Sequence, residues 1–453
     1  MATDSDYVIV SSAGDEARKN ALGCGLASGE RPAYLSDIES LIDNNARPLW
    51  TLNAFLHNTP ELAYHEHQAH HALTEFIRCR DEGWDVMPSA HGIATAWIAV
   101  HDSQKPGPVV SFNAEMDALP GLGHACGHNL IATASLAAAL ATAQIMRQHH
   151  LPGKVLLFGT PGEEGYRGAK LLLLERGAYR GVDLSLISHP GILHNSARVR
   201  TTAFARVEVS YHGKAAHVAK NPWEGINALD ALVVSYTAVS ALRARVMEGD
   251  TIGVAITNGG GAASNVIHEF ASMVCMVHSR TAARLETLLG QVEGCLRAGG
   301  QATGARLELK VTRGYKDHVP NVVLARSYER CWRVMGDMPD PQIPSECAVE
   351  EMVTYVPSST DQGDLSHVMP SLNASFAIPP GPEGGGPHTK DFEKASGTRE
   401  AFERALRVGK ALAGVAVDVL TTDGLLEEVK REWRRDMEER GRDVMPEKNV
   451  YWR

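Results

Sequence analysis

Hydrophobic and polar positions along the chain switch between a period of two and a period near 3.6, the marks of strands and of amphipathic helices. Short β-branched or large apolar runs at 109–112, 154–159 (KVLLFG), 182–188 (VDLSLIS) and 371–378 (SLNASFAI) predict strands. Helical spacing fills 34–58, 69–80, 130–147, about 168–176 and 390–419. Strands alternating with helices predict an α/β layer on a mostly parallel sheet. The stretch 199–317 reads differently. There 202–211, 252–257, 272–280 and 305–313 carry strand patterns, and 227–247 and 284–297 are helical. Two helices on a four-stranded antiparallel sheet would bury one sheet face and leave the other open.

A length of 453 residues exceeds one ordinary core. The expected division is an N-terminal extension (1–32), a discontinuous α/β catalytic domain (33–198 and 318–425), an inserted α+β domain (199–317), and a charged helix with a loose end (426–453). The Gly259-Gly260-Gly261 run has no following Gly-Lys-Ser/Thr and reads as a turn.

Charge and cysteine content narrow the classes. A formal charge of −10 with no basic face argues against nucleic-acid binding. The seven cysteines (24, 79, 126, 275, 295, 331, 347) are odd in number and form no disulfide framework, which points to a reducing compartment. The N-terminus lacks the basic and apolar regions of a secretory signal. The apolar stretch 130–146 is Ala- and Thr-rich and short for a membrane span, so a buried helix is expected. The reading is a cytoplasmic protein with no membrane partner.

Candidate chemistry gathers at strand ends. Cys126 and His128 follow the 109–112 strand, Glu163 and Glu164 follow 154–159, His189 follows 182–188, and His388 follows 371–378. In open α/β sheets sites form beyond the carboxyl ends of strands. Four such ends offering Cys, His or Glu are the pattern of an assembled metal site. Thiolate and imidazole suit zinc better than magnesium or calcium. Two ions about 3.5–4 Å apart can share a ligand and polarise one water. One carboxylate of the Glu163-Glu164 pair can bind metal while its neighbour takes the proton of the attacking water. The histidines at 57, 65, 67, 70 and 71 read as solvated loop and helix residues.

An ordered set of short motifs adds to this. It comprises Pro-Glu-Leu at 60–62, Met-Asp-Ala-Leu-Pro at 116–120, His-Ala-Cys-Gly-His-Asn at 124–129 and Gly-Glu-Glu at 162–164. It continues with His189-Pro190, Gly-Lys-Ala-Ala-His at 213–217, Asn265-Val-Ile, Arg280 and Pro387-His388-Thr389. Over roughly 45–420 the sequence resembles the dinuclear zinc hydrolases that include aminoacylases, carboxypeptidase G and auxin-conjugate amidohydrolases, nearest to the aminoacylase-like dipeptidase branch. The resemblance implies two divalent ions per subunit, zinc with manganese or cobalt as alternatives. Cys126 would bridge them, and His128, Glu164, His189 and His388 would complete the shells. Glu163 would be the general base, and Asp117 would orient a ligand imidazole. The inserted domain would pair two subunits and act as a lid. His217 would then be lent to the partner's site to stabilise the oxyanion, and Asn265 and Arg280 would hold the substrate carboxylate.

Three positions depart from the family pattern. Glu115-Met116-Asp117 replaces a commoner His-x-Asp, as expected where Cys-Gly-His takes over metal binding. Asn129 replaces Asp, and His268 replaces Pro near the substrate end. The expected activity is hydrolysis of the amide bond in a small N-acyl amino acid or dipeptide. Two rivals stand beside it: the same site used for amide formation in a biosynthetic pathway, and a non-catalytic binding protein on this fold. Retention of Glu163 and all five ligands counts against the last.

Overall fold

The computed structural model describes residues 8–11, 31–80, 83–165, 167–336 and 352–442. Most of the expected N-terminal extension, the last residues of the C-terminal tail, Cys24 and Cys347 lie outside these. The chain runs β1 (Val8–Ser11), α1 (Leu35–Asn44), α2 (Ala46–Asn58), α3 (His67–Arg80), β2 (Asp85–Pro88), β3 (Trp97–Asp102), β4 (Val109–Glu115), α4 (His128–Gln148), β5 (Lys154–Thr160), α5 (Ala169–Glu175), β6 (Leu184–Gly191) and β7 (Val199–Arg200). It continues with β8 (Ala203–His212), β9 (Ala216–His217), α6 (Ala228–Arg243), β10 (Thr251–Asn258), β11 (Val266–Ile267), β12 (Phe270–Ser279), α7 (Ala282–Thr303) and β13 (Arg306–Arg313). It ends with α8 (Val322–Val334), β14 (Met352–Tyr355), a short helix Gln362–Ser366, β15 (Ser371–Ala377), and helices Lys390–Ser396, Arg399–Thr421 and Leu425–Arg442.

Two compact units result. Described residues within 1–200, 318–356 and 360–438 form the first, and those within 201–317, 357–359 and 439–453 the second.

The first unit is built on a six-stranded sheet in the order β15-β6-β4-β5-β3-β2. Strands β15, β6, β4 and β5 are mutually parallel. Strand β3 is antiparallel to β5, and β2 is antiparallel to β3. The sheet is thus mostly parallel, as expected, with the single opposed strand β3 giving residues 85–102 antiparallel pairing at one edge. Its outermost strand is hard to see in sequence: β2 is a largely exposed four-residue strand ending in proline, where the exposed edge tolerates it.

Helix α4 packs on β4, β5 and β6 and against Arg399–Thr421. It is long and apolar enough to cross a membrane, but it is buried in this core. Its small residues allow close approach: a Cβ on Gly409 would sit 3.0 Å from the Ala134 carbonyl oxygen. The other sheet face is covered by a second cluster that includes Phe158, Leu173, Tyr179 and Leu365.

Two long helical patterns are interrupted. The 34–58 pattern breaks at Asn45 into α1 and α2. The 390–419 pattern breaks at Gly397-Thr398, where the Thr398 hydroxyl accepts the Ala401 N–H at 3.2 Å and starts a new helix. Inside the stretch expected to be irregular, the Val-Ile-Val-Ser run of β1 pairs antiparallel with β14.

In the second unit the sheet order is β10-β12-β8-β13, antiparallel throughout. Strand β8 alternates, sending Ala205, Val207, Val209 and Tyr211 into a core shared with α6 and α7. The buried Tyr211 hydroxyl donates to the Leu296 carbonyl oxygen at 2.8 Å. Strands β9 and β11 form a separate two-stranded ribbon. The triple-glycine segment lies between β10 and β11 and is a turn: Gly260 has φ +94°, and the Asn258 side-chain oxygen accepts its N–H.

Candidate active site

Strand β4 ends in Glu115, and the loop that follows carries Asp117 and Cys126 before α4 begins at His128. Gly127 makes this sharp entry possible. Its φ is +75°, and a Cβ there would lie 2.5 Å from Pro190 Cγ. The Cys-Gly-His and His-Pro motifs are thus one packing unit, with the glycine letting the β6 end and the α4 start approach.

Loop 116–120 is tied down by Pro-Glu-Leu. The Ala118 N–H donates to the Glu61 carbonyl oxygen at 2.8 Å. The Glu61 carboxylate meanwhile accepts the N–H groups of Gln68 and Ala69 at the start of α3.

The buried Asp117 has two partners. One carboxylate oxygen lies 3.2 Å from His128 Nδ1, and the other accepts the Glu164 N–H at 2.9 Å. His189 Nδ1 is held in the same way by Asn373 Oδ1 at 2.9 Å. In the tautomer that donates Nδ1–H outward, each Nε2 presents a lone pair inward. His128 Nε2 lies 3.4 Å from Glu115 Oε2, and 3.9 Å from both Glu163 Oε2 and Glu164 Oε1. His189 Nε2 is 3.1 Å from Glu115 Oε2. His388, reached through the Pro/Gly-rich loop after β15, brings its Nε2 to 3.2 Å from Glu164 Oε1. Its backbone is fixed by donating to the Ala125 carbonyl oxygen at 2.8 Å.

The result is a concentration of electron-pair donors. Ligand atoms of Glu115, His128 and His189 lie within 4.8 Å of one another, as do those of Cys126, Glu164 and His388, and those of His128, Glu163 and Glu164. Glu115 Oε2, His128 Nε2 and Glu164 Oε1 are buried yet lack a well-formed hydrogen bond. Buried polar atoms left so are costly, about 1–3 kcal/mol each, unless something else satisfies them. Burial, with the Glu164 carboxylate beside it, pushes the Cys126 thiol well up. Burial, with Glu115 and Glu164 beside it, holds the Glu163 carboxyl well above the usual carboxylate range. Converging soft and hard donors that repel one another when bare fit divalent cations.

The residues expected at the substrate end belong to the second unit. His217 is exposed on the β9–β11 ribbon, opposite Val266, and its Nδ1 accepts the Ala219 N–H at 3.1 Å. Asn265 is exposed beside it, and its carbonyl accepts the Val218 N–H. Arg280, at the end of β12, pairs with Glu248 at 2.7 Å. His268 closes the glycine turn by accepting the Gly261 N–H at 3.1 Å. Asn129 bonds Asn53 and the Ser396 carbonyl oxygen, a structural role away from the donor cluster. Of the histidines at 57, 65, 67, 70 and 71, none belongs to a candidate metal group among the described residues.

Sequence reasoning misses four residues here. Glu115, read only as a replacement for a commoner histidine, stands in the donor cluster. Behind it lie the fully buried Lys170 and Asp361. Glu66 is also buried. It accepts the Gly162 N–H at 2.9 Å and so fixes the loop that carries Glu163, while burial and Asp117 push its own carboxyl up to about 7. The only sequence signal for Glu66 is its closeness to Pro-Glu-Leu.

Comparison with known proteins places the chain in a family. The model of Peptidase family M20/M25/M40 matches residues 111–413. A Xaa-Arg dipeptidase of Mus musculus is 36% identical over 88% of this chain and 91% of its own length. One of the subunits of p-aminobenzoyl-glutamate hydrolase from Escherichia coli (strain K12) is 25% identical over 77% of this chain and 85% of its own. A dinuclear metal binding peptidase of Bacillus subtilis superposes with a TM-score of 0.62 at 20% identity, covering 84% of this chain and 99% of that one. The chain belongs to Peptidase family M20/M25/M40 and is a metal-dependent hydrolase of amide bonds.

Proposed function

We propose that this chain is a dipeptidase whose substrates are small dipeptides with a free carboxylate, beginning with those that end in a basic residue. The observation that carries it is the set of inward-facing donors at the ends of four parallel strands, with His128 and His189 pinned at Nδ1. The name of the mouse relative, a Xaa-Arg dipeptidase, supports the substrate class.

Cys126, His128, Glu164, His189 and His388 would hold two divalent ions, zinc by donor type, with manganese or cobalt able to replace it. When bound, such ions polarise the scissile carbonyl and make water acidic enough to attack near neutral pH. Glu163 accepts the proton of the attacking water and returns it to the leaving amine. Its loop is held for this by the Glu66–Gly162 hydrogen bond. Asp117 fixes the His128 tautomer and the Glu164 backbone together. Arg280 and Asn265 are assigned to the substrate carboxylate, which requires Arg280 to exchange its Glu248 partner.

We further propose a homodimer through the second unit, with His217 stabilising the oxyanion in the other subunit. Strand β10 is a sheet edge, and α6 exposes Val233, Val234 and Tyr236. An open edge beside exposed apolar residues favours self-association.

The test is a mass-spectrometric assay of dipeptides and N-acyl amino acids with metal-loaded protein and Glu163→Gln as control. Cleavage lost in the control is expected. Cleavage that survives it would overturn the assignment of the base, and none across the panel would favour amide formation.

A further inference from the structure

Glu115 terminates β4, and both its carboxylate oxygens are committed to opposite sides. Oε1 accepts a hydrogen bond from the Lys170 ammonium at 2.6 Å. Oε2 points the other way, 3.1 Å from His189 Nε2 and 3.4 Å from His128 Nε2. Lys170 cannot move aside: its ammonium also donates to Asp361 Oδ1, and its backbone N–H donates to Asp361 Oδ2 at 3.0 Å. All three side chains are fully buried. Holding a lysine between two carboxylates in a dry interior is expensive unless it serves a geometry. The geometry here aims one carboxylate oxygen at two imidazole lone pairs. With both Nδ1 protons turned outward three like electron pairs share that space, and a cation there makes them mutually favourable.

We infer that Glu115 is itself a ligand of one ion, sharing it with His128 and His189, and that Lys170, braced by Asp361, is the positioning residue that aims it. This rests on the two-ion reading above. It makes the two pockets chemically unequal. One offers carboxylate and two imidazoles from Glu115, His128 and His189, and the other offers thiolate, carboxylate and imidazole from Cys126, Glu164 and His388. A harder ion such as Mn²⁺ should prefer the first, and Zn²⁺ or Co²⁺ the thiolate pocket.

The experiment loads metal-free full-length protein with Co²⁺. Bound metal is counted by mass spectrometry, and the thiolate-to-cobalt charge-transfer band reports cobalt held on Cys126. Glu115→Gln keeps shape and leaves Lys170 paired with Asp361. It should bind one ion firmly instead of two, with the second weakened at least about 10-fold and the charge-transfer band kept. Two ions at unchanged affinity would overturn the inference. The double variant Lys170→Met with Asp361→Asn removes the brace while keeping Glu115. It should weaken the same ion by about 10–100-fold without moving the band, and unchanged affinity would strip Lys170 of its positioning role. If the wild-type chain bound no Co²⁺, the two-ion reading itself would fail. Glu163→Gln, expected to keep both ions and lose turnover, separates loss of the base from loss of a ligand.

Discussion

Replacing Asp117 with asparagine preserves volume but removes one acceptor. The native carboxylate serves His128 Nδ1 at 3.2 Å through one oxygen and the Glu164 N–H at 2.9 Å through the other. An amide has one oxygen and one NH2, so whichever way it is turned one partner faces a donor. If the oxygen stays with Glu164, the amide NH2 faces His128 Nδ1. The imidazole must then carry its proton on Nε2, the atom aimed at the donor cluster. If it is turned round, the Glu164 N–H loses its acceptor. Either fault in a buried site costs about 1–3 kcal/mol. At about 1.4 kcal/mol per decade, that is a loss of roughly 10–100-fold in metal affinity. A competition titration against a chromogenic chelator reads the affinity, and thermal unfolding of the metal-free variant checks that the fold survives. Affinity within about twofold of wild type in a folded variant would refute the view that Asp117 sets the tautomer.

Gly127→Ala places a Cβ 2.5 Å from Pro190 Cγ at φ +75°, so it should destabilise by about 2–4 kcal/mol in urea unfolding, and a neutral effect would contradict the shared packing of the two motifs. Glu432, on the C-terminal helix, is pushed up to about 8 by burial and then by Asp436. Because its folded value exceeds the unfolded 4.5, its stabilising contribution is complete below about pH 4.5 and is lost as pH rises through about 8. Glu432→Gln should therefore gain on wild type by about 1–3 kcal/mol between about pH 5 and about pH 9, and a pH-independent difference would refute this. Stripping metal should lower the melting temperature, since binding to the native state alone stabilises by about 2.7 kcal/mol at about 100 times Kd. A melting temperature indifferent to chelator would show that the donor cluster holds no ion.

Much of the α/β unit is legible in the sequence because its four parallel strands are buried on both faces and so appear as apolar runs bounded by loops. Runs 154–159 and 371–378 coincide closely with β5 and β15. Of the antiparallel edge, β2 is mostly exposed and has no apolar signature, whereas β3 carries the short, largely buried run Trp97-Ile98-Ala99-Val100, which the strand expectations passed over. Helix breaks at Asn45 and Thr398 depend on capping, which competes with apolar spacing that runs through both points. In the site, the donors at strand ends are readable because loops after parallel strands converge. The Glu115–Lys170–Asp361 cluster is not. Lys170 sits in Ala-Lys-Leu-Leu-Leu-Leu-Glu, where a lysine at a helix start reads as solvated, and its partners are 55 and 191 residues away. His217, Asn265 and Arg280 follow from motif order alone, and they belong to the other compact unit.

Amide hydrolysis by this chain should depend on ions held by the donor cluster. The most direct measurement follows hydrolysis of an Xaa-Arg dipeptide as Zn²⁺ is added stepwise to metal-free protein, with bound metal counted at each step. No turnover is expected at zero metal, then a rise that levels off at two ions per subunit. Turnover by the metal-free protein, or a plateau with no ion bound, would contradict this dependence.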